Sequence, residues 1–265
     1  MLNIFKRWNN FINEGVAQKY KFDTAVDVIT DEALTALKKG IDNSLNGGDR
    51  IEFRFVDGES SNGRILPQEI LNFVKKIEGV VRFMDSIDTP QESSVVGSYQ
   101  ESKKHMRLFI NVPSTFRVQD IRPSELVPKI KSTLRHEFEH TLDSLRGLEK
   151  KAHGLGYGSL EEYYNYFTSP HEVNAYVVGF SKRSKMTERP WAELKDNFLI
   201  WLKSDLTKKT NAEKTWDRLN LKTTGHDKAS VEDVEDFVRE VDFLMTSRHK
   251  ERYGRKNQIL SLDDH

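Results

Sequence analysis

A chain of 265 residues, 31% of them charged and with a formal net charge of zero, can bury a substantial core and carries no bulk field favouring nucleic acid or an anionic membrane. It contains no cysteine, which excludes a disulfide scaffold, thiolate metal ligation and a cysteine nucleophile. Lys6, Arg7, Asn9 and Asn10 interrupt the N-terminal stretch where a secretory leader is continuously apolar, and no apolar run approaches the roughly 20 residues of a bilayer span. A cytoplasmic location without membrane contact is therefore expected, and association with a virion or other assembly would leave no mark.

Residues 1–46 read as helical, because Ile4, Phe5, Trp8, Phe11 and Ile12 recur at helical spacing, as do Leu34, Leu37, Ile41 and Leu45. "NGGDR" (46–50) is a break, and "IEFRFV" (51–56) alternates like a strand before the turn-rich "DGESSNGR". Pro67 opens a short predicted helix reaching Ile77. "GVVRFM", "SSVVGSY" and "HMRLFINV" (105–112) are predicted strands, the last with Met106, Leu108, Ile110 and Val112 on one face.

A long helix follows from about Ser124 to Arg146, with Gly147 as its stop. Beyond a glycine-rich loop, "LEEYYNYF" and "HEVNAYVVGF" read as helices. Past residue 187 two further helical stripes appear, Trp191, Leu194, Phe198, Leu202 and Val234, Phe237, Val241, Leu244. The order implies an α+β protein with a small mixed sheet and helical extensions at both ends: segments 1–46, 47–186 and 187–265. The basic stretch from Arg248 to Lys256 reads as a charged helix end, and no nucleic-acid partner is expected.

Within the long helix lies "LRHEFEHTLD" (134–143). At about 100° per residue, His140 stands about 40° from His136 and Asp143 about 20° to the other side. Leu134, Phe138, Leu145 and Val127 fall opposite. Two imidazoles one turn apart can converge on one ion, and neutral imidazole is a good zinc ligand. Glu137, about 100° round, can reach a metal-bound water without ligating the metal. H-E-x-x-H on a helix is the signature of this chemistry. The alternative is an ordinary solvated helix face with charges paired at i, i+4.

With these residues in place, the segment 50–185 resembles the zincin metallopeptidases, so 47–186 is expected to be a zincin-like catalytic domain binding one Zn²⁺ per chain. Some zincins extend the motif to a third histidine, but Asp143 and Arg146 occupy the positions that subgroup needs as glycine and histidine. Others, the gluzincins, take a glutamate from a later helix, often within E-x-x-A. Among Glu149, Glu161, Glu162, Glu172 and Glu188, the resemblance favours Glu172 in "SPHEVNAY", where Ser169-Pro170 marks a helix entry and Ala175 and Gly179 share its face. Glu161 or Glu162 is the runner-up. A helix-starting glutamate also needs no metal to explain it, because the helix dipole favours it.

Asp143 is placed as a partner orienting a ligating histidine, with an exposed aspartate as the alternative. A peptidase also needs a donor for the tetrahedral oxyanion. His171 and Tyr176 are named first because they adjoin Glu172, ahead of His153, Tyr157, Tyr163, Tyr164 and Tyr166. In the resembled fold a strand edge beside the active helix holds extended substrate, and "HMRLFINV" is the candidate, with an internal strand as the alternative. The expected activity is zinc-dependent cleavage of a protein or peptide substrate. The alternatives are a regulatory protease that cleaves a repressor, and a non-catalytic binding module of a larger assembly that meets protein partners through its helical ends.

Overall fold

In the computed structural model the backbone is described for residues 2–43, 48–85, 93–121, 125–145, 160–218 and 231–254, and side chains for 22–43, 48–85, 93–121, 125–142, 163–208 and 232–254. The chain divides into two units, Met1–Arg146 and Gly147–His265. No helix of the described residues is long and apolar enough to cross a membrane.

The first unit is α+β. Helix α1 (Leu2–Asp42) leads into strands β1 (Arg50–Val56), β2 (Glu59–Ser60), β3 (Lys76–Met84), β4 (Ser94–Gln100) and β5 (His105–Pro113), and helix α2 (Leu126–Leu145) closes it. The five strands form one mixed sheet in the order β2-β1-β3-β5-β4. Only β3 and β5 run parallel, and the other pairs are antiparallel. The turn between β1 and β2 is Asp57-Gly58, with both residues at positive φ (49° and 88°), the geometry that closes a two-residue hairpin without splaying its strands.

Period-two alternation sorts the side chains of this sheet. Phe53, Phe55, Ile77, Val81, Phe83, Met106, Leu108, Ile110 and Val112 are buried, whereas Glu52, Arg54, Arg82 and Arg107 on the alternate positions are exposed. The buried face packs with Phe22, Val26, Ile29, Ala33 and Leu37 of α1 and Leu126, Ile130, Leu134 and Phe138 of α2 in one apolar core. Phe22 and Phe138 stack at 5.1 Å, which ties the two helices together. A carboxylate on α1, Glu32, is fully buried and accepts hydrogen bonds from Asn62 Nδ2 (2.7 Å) and Arg64 Nε (3.1 Å), which fastens the turn after β2 to the helix.

The short helix expected from Pro67 to Ile77 shrinks to one 3₁₀ turn, Gln68–Asn72. Lys76 and Ile77 instead pair with His105 and Met106 at the start of β3. Ile77 is fully buried there, so strand pairing and apolar burial override the local helix signal.

The second unit is helical: α3 (Leu160–Phe167), α4 (Pro170–Thr187), α5 (Trp191–Arg218) and α6 (Val231–His249), the last continuing as a π-turn, Lys250–Gly254. Its core joins Phe167, Val173, Val177, Leu199, Leu202, Leu206, Val234, Phe237, Val241 and Met245. On α6 the buried stripe ends at Met245, and Leu244 is only partly buried beside it.

Candidate metal centre

Helix α2 places two histidines on adjacent turns. Pro128 falls in its first turn, where the missing N–H has no intrahelical partner to lose. His136 and His140 come together with their Nε2 atoms 3.0 Å apart, ring centroids 4.7 Å apart and ring planes at 81°. Two imidazoles bound to one tetrahedral zinc at 2.0–2.1 Å would hold their nitrogens about 3.3 Å apart. The rings therefore need to part by only a few tenths of an ångström to share an ion, and the donor set suits one.

The face carrying this motif is not solvated. His140 and Glu137 are each only 5% exposed and His136 is half-buried. Arg135 and Glu139, which the sequence reads as a surface i, i+4 pair, are buried as well, with Nη1 and Oε2 3.1 Å apart. The Arg135 guanidinium lies 5.5 Å from the centroid of the Phe22 ring of α1. The solvated-face alternative does not hold, because Arg135, Glu137, Glu139 and His140 are all buried.

Glu137 turns toward β4, its side chain lying over Gly97. This corrects the strand assignment. "HMRLFINV" is β5, and it is internal, hydrogen-bonded to β3 on one side and β4 on the other. The edge strand beside the histidine helix is β4, which runs antiparallel to its only neighbour among the described residues. Sequence order misleads here because β5 follows β4 in the chain yet inserts between β3 and β4.

The other candidate ligand and donor residues belong to the second unit. Glu172 sits in the first turn of α4, where Ser169 is the N-cap and its Oγ accepts from the Glu172 N–H at 3.3 Å. In a complete capping box the glutamate carboxylate would reach back to the N-cap N–H. Here the Ser169 N–H donates to the Tyr166 carbonyl at 3.2 Å, so the cap does not call on the Glu172 carboxylate. Ala175 and Gly179, on the same face, are buried. His171 is half-buried beside Glu172.

Tyr176 places its ring in an aromatic cluster, 4.6 Å from Phe198, 5.8 Å from Phe180 and 5.9 Å from Phe167. Two tyrosines named as lesser donors are committed elsewhere: Tyr163 donates to Asp205 (3.3 Å) and Tyr164 to Glu240 (2.6 Å). The Glu240 bond, followed by desolvation, holds the Tyr164 hydroxyl above the usual tyrosine range. Glu188 ends α4 in the left-handed conformation (φ 58°). The side chains of Asp143, Glu161 and Glu162, and all of Arg146, Glu149, His153 and Tyr157, lie outside the described residues.

The structure thus brings together His136, His140 and Glu137 on α2, and separately aligns His171, Glu172 and Tyr176 along α4. Sequence reasoning missed Gly97 and the buried Arg135–Glu139 pair. A lone glycine between Val95 and Tyr99 in a predicted strand was the available signal for the first. Comparison of the chain with family models, with curated proteins and with solved structures gives no match.

Proposed function

We propose that this chain is a zinc-dependent metallopeptidase of zincin-like fold. The convergence of the His136 and His140 Nε2 atoms, with Glu137 buried beside them, carries the reading. The mixed sheet with an antiparallel edge strand next to the histidine helix supports it. So does a glutamate in E-x-x-A context in the first turn of α4. His136, His140 and Glu172 are the proposed ligands. When bound, the zinc acts as a Lewis acid and lowers the pKa of a coordinated water to about 7.

The rest falls to the chain's own groups. Glu137 takes the proton from the attacking water and passes it to the leaving amine, as general base and then general acid. The edge of β4 that meets no other strand among the described residues pairs with the backbone of an extended peptide and presents its carbonyl to the site. His171 and Tyr176 are the proposed donors to the oxyanion that forms. Asp143, three residues after His140 in sequence, is the proposed partner for the second nitrogen of an imidazole.

The test is Glu137→Gln in the full chain, assayed for zinc by elemental analysis and for cleavage of an unstructured protein such as casein. Wild-type protein is expected to carry one zinc per chain and to cut. The variant is expected to keep the zinc and lose cleavage by at least about a hundredfold. A variant that still cuts at the wild-type rate overturns the mechanism.

A further inference from the structure

Gly97 sits mid-strand in β4, opposite Leu108 of β5, and its backbone is not in the left-handed region. Nothing in its own conformation requires glycine, and glycine weakens a strand interior. What excludes a side chain is the approach of α2. A Cβ on Gly97 would lie 2.6 Å from Glu137 Cγ, 2.7 Å from Glu137 Oε1 and 2.8 Å from Thr133 Cγ2. All three distances are shorter than real Cβ contacts allow.

The neighbours on the same strand face, Val95 and Tyr99, pack against the apolar core, so the row reads apolar, empty, apolar. At the other crowded glycine of this sheet, Gly79, the vacant space holds the Phe53 ring of the paired strand, an apolar filler. At Gly97 the space holds a carboxylate. A buried carboxylate set over an edge strand is a poor way to fill a packing gap, because the charged group loses its hydration there. It is a good way to fix that carboxylate beside whatever pairs with the strand.

We propose that Gly97 is the positioning residue for Glu137: its missing side chain, with Thr133 as the facing wall, forms the slot that holds the general base against the edge of β4. Gly97 acts only through Glu137 and contacts no reacting atom. The inference rests on the peptidase reading for its kinetic consequence and on unit-one geometry alone for the slot.

Two measurements on the full chain test it. In zinc-free, isotope-labelled protein, a nuclear Overhauser contact between Gly97 Hα and Glu137 Hγ is expected, and its absence overturns the slot whether or not the protein is a peptidase. In zinc-loaded protein, Gly97→Ala is expected to lower kcat by about 10- to 100-fold per folded molecule, with zinc content unchanged and KM within about threefold, because small misplacements of a reacting group cost this much. Adding Thr133→Ser to Gly97→Ala, which removes the facing Thr133 Cγ2, is expected to restore part of the rate. Wild-type kcat in Gly97→Ala, or no recovery on adding Thr133→Ser, overturns the proposal. If zinc-loaded wild-type protein cuts nothing, the peptidase reading fails, and the Overhauser contact still decides the slot.

Discussion

Arg135 and Glu139 meet at 3.1 Å on the buried side of α2, one on each side of His136, Glu137 and Phe138, and both are withdrawn from water. The pair is held by charge rather than by an aligned hydrogen bond. It therefore links two positions one turn apart on the helix that carries the histidines.

Removing one partner leaves the other charged and buried, a cost of about 3–5 kcal/mol in comparable pairs. Arg135→Met is therefore expected to destabilise the protein by that order, read as a lower urea midpoint. Arg135→Met with Glu139→Leu is expected to recover most of the loss, since an apolar pair of similar volume fills the same space. If the double variant is no more stable than the single one, the pair is doing more than neutralising itself.

Glu172→Ala tests the weakest of the proposed ligands. With only two imidazoles left, zinc content after dialysis is expected to fall from one per chain to well under half, with the circular dichroism spectrum unchanged. Full zinc retention would move the third ligand elsewhere, with Glu161 and Glu162 the next to substitute. The cap should survive the change, because it depends on the backbone N–H of residue 172 and on the Ser169 hydroxyl.

Tyr99 sets an alkaline limit on the first unit. Burial, with a smaller contribution from Glu101, pushes its hydroxyl up to about 12, and the hydroxyl donates to the Phe73 carbonyl at 2.9 Å. The unfolded chain releases this proton near pH 10, before the folded protein does. The contribution to stability is therefore complete below pH 10 and is lost as pH rises toward 12. Tyr99→Phe is expected to lower stability modestly at pH 8, by about 1 kcal/mol for the lost bond, and to flatten the fall between pH 10 and 12. Parallel wild-type and variant curves across that range would refute this.

His249 acts in the opposite direction in the second unit. Its ring stacks on Trp191 at 3.9 Å, and burial holds it below the usual histidine range. A depressed folded value means that the stabilisation is present above about pH 6.5 and is lost as pH falls through the folded value. His249→Phe keeps an aromatic partner for Trp191 without the proton. The variant is expected to hold its thermal midpoint between pH 7 and 5 while the wild-type midpoint falls. Equal acid sensitivity in both would place the titrating group elsewhere.

The residues that could be read from the chain are those whose geometry is local. His136, Glu137 and His140 lie within two turns of one helix, so their shared face follows from 3.6 residues per turn before any fold is known. Ser169-Pro170 announced α4 for the same reason, since a cap and its helix are neighbours in sequence. The edge position of β4 was not legible, because strand order depends on which strand inserts between which. The burial of Arg135 and Glu139 was not legible either, since an i, i+4 ion pair looks the same in sequence on a surface and against a core.

By itself, then, the sequence determined that two imidazoles and a carboxylate share one helix, because helical periodicity is a property of adjacent residues. Only the tertiary structure decided that this helix lies along an edge strand, that its charged residues leave water, and that Gly97 is the empty position facing Glu137. Those facts depend on how distant segments pack, and close packing brings together residues that no local pattern links.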